Sequence, residues 1–163
     1  MNQDQTLRDH LVKLLRGGSA HLGFDKAIEG LAADLRGARA QDLPHTPWQL
    51  LEHLRMAQWD ILDFSRNPQY AALKWPDDYW PETAAPPDDT AWDRSVEAFR
   101  RDLKAMQDLV ADPKTDLFAK IPWGKDQTIL REALLVADHN AYHVGQIVTL
   151  RQALGAWQPA VLL

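Results

Sequence analysis

Apolar residues recur at intervals of three and four along four long stretches of this chain, and almost nowhere do they alternate with polar ones. That spacing lays an apolar stripe down one side of an α-helix. A strand, whose side chains alternate with a period of two, cannot use it. The pattern predicts an all-α protein, a four-helix bundle formed as a single domain over residues 1–163. The length suffices for a proper core without covalent help. None is on offer, because the sequence has no cysteine. Its absence removes thiolate nucleophiles, disulfides, zinc–thiolate sites, iron–sulfur clusters and covalent c-type haem attachment together.

The first stretch runs from about Gln5 to Ala38. Leu7, Leu11, Leu14 and Leu15 precede a Gly17-Gly18 pair, and Phe24, Ile28, Leu31 and Leu35 follow it. The glycines predict a kink or a break, with Ser19 as a cap for the continuation. The second stretch opens on Thr46-Pro47-Trp48-Gln49, the pattern of a capping box with proline at the first helical position. Its inner face reads Leu50, His53, Leu54, Ala57, Ile61, Phe64, and Asn67-Pro68 ends it. The third begins near Asp88-Asp89-Thr90 and carries Trp92, Val96, Phe99, Leu103, Met106 and Val110 up to Pro113, with Asp93, Glu97 and Asp102 mainly outward. The fourth spans about Thr128 to Leu154, with Leu135, Val136, His139, His143, Gln146, Ile147 and Leu150 inward and Gly155 as its stop. Between the second and third lies a proline-rich stretch, residues 67–87, holding Tyr70, Trp75, Tyr79 and Trp80. Four large rings predict an ordered flap over one end of the bundle.

Charge and composition narrow the function. A formal net charge of −5 with scattered basic residues argues against nucleic acid as a partner. Residues 1–15 carry charges throughout, so they read as neither a signal peptide nor a membrane span, and a soluble cytoplasmic protein is expected. Seven tryptophans are many for this length. Some should fill the core and others a ligand pocket or a dimer face. Gly-x-Gly-x-x-Gly and Walker loops are absent, as are His-Glu-x-x-His and paired Glu-x-x-His motifs, and the three serines have no nucleophile-elbow setting.

The histidines carry the remaining chemistry. His139 and His143 stand one helical turn apart, about 6 Å along the axis, on the apolar face of the fourth stretch. Two imidazoles so placed can hold two corners of a metal polyhedron, and His53, on the inner face of the second stretch, can supply a third. Burying three unpaired imidazoles would otherwise be expensive. A bis-histidine haem is possible in a bundle, but ligands from one side suit a small ion better. Gln146 shares the His139/His143 face and reads as a polar pocket residue. His21, after the glycine pair, reads as a neighbour of the site or a substrate contact, and Trp80 of the flap as a pocket wall. His10 reads as solvated, His45 as part of the turn before the cap, and Glu52 and Asp138 as solvated helix charges.

The segments Trp48-Gln49-Leu50-Leu51-Glu52-His53-Leu54 and Asp138-His139-Asn140-Ala141-Tyr142-His143-Val144-Gly145-Gln146 resemble the DinB-like (DinB/YfiT) superfamily of metal-dependent four-helix-bundle proteins. That family is distinct from the similarly named translesion DNA polymerase. The resemblance implies up-down-down-up connectivity with one long crossover, a divalent ion on His53, His139 and His143, and a homodimer. It also implies a small-molecule substrate and thiol-dependent transferase or isomerase chemistry, with a low-molecular-weight thiol such as bacillithiol or mycothiol, or else hydrolysis. Imidazole accepts zinc, nickel, iron or manganese, so the ion is not fixed by the ligands. Two other roles are open to the same ligands: a module that binds metal or ligand without turnover, and an ion that only staples two helices.

Overall fold

The long helices begin where side chains can satisfy free backbone N–H groups. Thr46 Oγ1 accepts from the Gln49 amide at 3.2 Å, and the Gln49 side chain accepts the Thr46 N–H at 3.1 Å, closing the expected capping box. Thr128 and Asn2 cap two further helices in the same way, accepting from Arg131 and Gln5. The computed structural model describes residues 2–157. It contains helices α1 (Gln3–Arg16), α2 (Phe24–Ile28), α3 (Pro47–Arg66), α4 (Ala91–Ala111) and α5 (Ile129–Ala153), with 3-10 turns at Ala33–Leu35 and Asp77–Tyr79. The expected all-α bundle consists of α1, α3, α4 and α5. Among the described residues, β pairing is limited to an isolated bridge between Lys120 and Thr128.

The two halves of the core give the helix directions. One apolar cluster joins Leu50, Leu51 and Leu54 from the start of α3, Trp92, Val96 and Phe99 from the start of α4, and Ile147 and Leu150 from the end of α5. The other joins Leu62 from the end of α3, Met106 and Val110 from the end of α4, and Ile129 and Ala133 from the start of α5. So α3 and α4 run parallel, and α5 runs against both. Near the start of α1, Arg8 donates to the carbonyls of Val110, Asp112 and Thr115 at the far end of α4, so α1 is antiparallel to α4. The connectivity is up-down-down-up: residues 67–90 are the long crossover, returning from the end of α3 to the start of the parallel α4, and residues 17–46 link α1 to the antiparallel α3.

Three details differ from expectation. Of the kink or break expected at Gly17-Gly18 the chain takes the break, both residues having positive φ (68° and 76°), and what departs is the cap. The chain resumes as α2 behind Gly23, so Ser19 caps nothing. On α3 the buried arc is wider than one stripe, because α4 and α5 flank it on two sides. Leu51, Gln58 and Leu62 are fully enclosed, while Ile61 and Phe64 are half-buried. Buried acidic side chains are the third departure. Asp102 is enclosed and paired with Arg101, where an outward position was expected. Glu52 is enclosed too, gripped by the Arg55 guanidinium at 2.7 and 2.8 Å, and is no solvated charge. Asp138 is exposed, as expected.

Trp48 and Trp92 fill the core, whereas Trp75 is 70% exposed and departs from the burial expected of the flap's rings. The flap is nonetheless tied to α3: Thr46 Oγ1 donates to the Ala84 carbonyl at 2.6 Å, and Trp48 Nε1 to Thr83 Oγ1 at 3.2 Å. No helix among the described residues is long and apolar enough to cross a membrane.

Candidate metal centre

Helix periodicity puts His53 on the face of α3 that meets α5, beside Leu50 and Leu54. His139 and His143 sit one turn apart on the opposing face of α5. Because α3 and α5 are antiparallel, the first third of one meets the middle of the other, and the three rings converge. The Nε2 of His53 lies 3.1 Å from the Nε2 of His143 and 3.1 Å from that of His139. One nitrogen from each ring lies within 4.8 Å of the others, and the trio can hold a metal ion. Ligand nitrogens around a small divalent ion are about 3.0 Å apart at right-angle positions and about 3.4 Å apart at tetrahedral ones, for bonds near 2.1 Å. The observed separation falls between the two.

The opposite nitrogens decide what the converging ones can do. His53 Nδ1 is 2.8 Å from the Tyr79 carbonyl, which can only accept, so Nδ1 carries a proton. His143 Nδ1 is 2.6 Å from Gln146 Oε1, again an acceptor, while Gln146 Nε2 points to the Tyr142 hydroxyl at 3.4 Å. His53 is held below its ordinary pKa by burial, with the nearby His45 adding to this and the Tyr79 carbonyl opposing it. Burial and the neighbouring His53 push His143 down to about 4. His139 is also pushed to about 4, by burial and then by its two partner imidazoles. The rings are therefore neutral at pH 7, and the Nε2 atoms of His53 and His143 are both bare lone pairs. Two lone pairs facing each other at 3.1 Å repel, and no proton is available between them. A cation resolves the arrangement, so these residues fit a divalent ion. His139 Nδ1 is buried with no hydrogen bond of its own; the Asn140 side chain lies near enough to oppose the ring's loss of basicity but outside bonding geometry.

Trp80 forms one wall. Its indole lies flat on the His53 ring, centroids 4.0 Å apart and planes within 3°, and His45 stacks on its other face at 4.1 Å. Alongside is a cavity of about 310 Å³ with apolar walls from Leu43, Pro44, Leu50 and Leu150 and a polar edge formed by Tyr142 and Gln146. Gln146 thus touches both the cavity and His143. A second cavity, of about 380 Å³, opens on another side of α5 and is lined by His21, Asp138 and Asn140 but by no member of the trio. His21 faces solvent there, its Nδ1 beside the Leu22 carbonyl, away from the metal centre.

A model of the DinB superfamily matches residues 23–147. The chain belongs to the DinB superfamily. Comparison with curated proteins and with solved structures gave no significant match. The match takes in α2 to most of α5, and so all three histidines of this DinB-family centre.

Reading the sequence missed two participants. Tyr79 acts through its backbone carbonyl, which leaves no trace in residue identity. His45 looked like a turn residue because its role depends on where Trp80 lands, and no local pattern encodes that. His10 is exposed, as expected.

Proposed function

We propose that this protein is a metal-dependent enzyme in which His53, His139 and His143 hold a divalent ion. The observation that carries the reading is the pair of facing Nε2 lone pairs, each fixed by an acceptor on the far side of its ring. When bound, an ion with three neutral protein ligands keeps positions open and supplies Lewis acidity that lowers the pKa of a water or thiol. Since the chain has no cysteine, any thiol comes from a low-molecular-weight cosubstrate. The reaction class is thiol-dependent transfer or isomerisation, or hydrolysis, on a small molecule.

The chain's own groups bind and orient. The cavity beside Gln146 receives the apolar part of the substrate, and the Tyr142 hydroxyl at its edge offers a hydrogen bond to a polar one. Trp80 shields one face of His53 from water. Gln146 and the Tyr79 carbonyl hold their imidazoles in the ligating tautomer, so no proton need leave a ring when a cation arrives.

The test is metal content by mass spectrometry on untagged protein, beside His53→Ala and His143→Ala. About one divalent ion per chain is expected in the wild type and none in either variant. A screen of thiol-transfer and hydrolysis reactions then separates an enzyme from a binding module. A wild type that stays empty after reconstitution with zinc, nickel, iron or manganese would sink the metalloenzyme reading.

A further inference from the structure

The flap that carries Tyr79 and Trp80 is anchored at one buried carboxylate. Asp60 lies two turns along α3 from His53, on the same side of the helix, and is 7% exposed. Its Oδ1 accepts from the Tyr70 hydroxyl at 2.9 Å and its Oδ2 from the Tyr79 hydroxyl at 2.6 Å. Among the described residues it forms no ion pair with a basic side chain, and Asp63 and Glu132 add negative charge nearby. An enclosed carboxylate satisfied only by two phenols is a costly way to hold down a loop, and an apolar contact would be simpler. Both phenols are pushed above their ordinary range, first by burial and then by Asp60, so they remain donors at any physiological pH.

Tyr79 is the joint between this anchor and the metal centre. Its side chain reaches Asp60 while its carbonyl takes the His53 Nδ1 proton, and the next residue, Trp80, stacks on the same ring. We propose that Asp60 is a positioning residue: through Tyr79 it sets the tautomer and orientation of His53, and thereby aims the Nε2 lone pair at the ion. The purpose of that arrangement rests on the metal reading above, whereas its effect on the His53 ring does not.

Imidazole nitrogen NMR on the metal-free protein reads the ring directly. The wild type is expected to show His53 protonated at Nδ1. Asp60→Asn and Tyr79→Phe are expected to give a mixture of tautomers and, in a separate titration, zinc binding weakened roughly ten- to a hundred-fold. Tyr70→Phe, which spares the Tyr79 bond, should keep the wild-type tautomer. Leu62→Ala leaves a cavity at a fully enclosed core position on the same helix. It should lower the melting temperature without moving the tautomer, which separates positioning from a general loss of stability. An unchanged His53 tautomer in both Asp60→Asn and Tyr79→Phe overturns the proposal, as does a wild type not protonated at Nδ1. Failure of the wild type to bind zinc counts against the metalloenzyme alone, and the NMR comparison still decides the role of Asp60.

Discussion

His139 and His143 bind protons less readily in the fold than in an unfolded chain, where an imidazole titrates near pH 6.5. Between that value and about 4 the unfolded chain holds more protons, so its population gains as the pH falls through this window. Stability from these two groups is complete above pH 6.5 and drains away toward pH 4. Metal-free protein is therefore expected to show a lower urea midpoint at pH 5 than at pH 7.5, and the double variant His139→Gln/His143→Gln should lose most of the difference. An equal slope in that variant would mean that other groups govern the acid limb. These residues were legible in the sequence because a four-residue spacing on an apolar stripe needs no tertiary information. Asp60 and Glu52 were not, since a buried carboxylate and a solvated one look alike until their partners arrive from Tyr79 or Arg55.

Helix boundaries were read well where a side chain makes them, as at Thr46 and Thr128, and poorly in the connection from α1 to α3. No periodicity foretold that the chain past Gly18 would yield only α2 and a single 3-10 turn at Ala33–Leu35, because packing against α5 and the flap decides that path. Gly37 shows how close this packing is. A Cβ there would meet Ala85 Cβ well inside van der Waals contact and its Cα at 3.0 Å, pressing the α1–α3 connection against the flap. Gly37→Ala is expected to cost about 1–3 kcal/mol. Gly145 offers the contrast, since it lies within α5 and a Cβ there meets nothing within 4 Å. Gly145→Ala should stabilise by roughly 0.5–1 kcal/mol through helix propensity alone. Opposite shifts in thermal unfolding check the pair; a neutral Gly37→Ala would show that the α1–α3 connection and the flap can part at little cost.

The proposed ion bridges two antiparallel helices, so it binds the folded state and not the unfolded chain. Adding zinc to the metal-free protein should raise the melting temperature progressively with concentration, as linkage requires. Scanning calorimetry over a zinc titration reads this, and His53→Ala should abolish the rise. The same geometry has a consequence for how the protein is made. His53 is separated from its partners by 86 and 90 residues, and those partners lie on α5, the last of the described helices to leave the ribosome. A nascent chain that has completed α4 carries one of the three imidazoles and has no means of retaining an ion. Loading therefore waits until α5 has been made and has docked on α3, and a chain arrested before that point holds no ion.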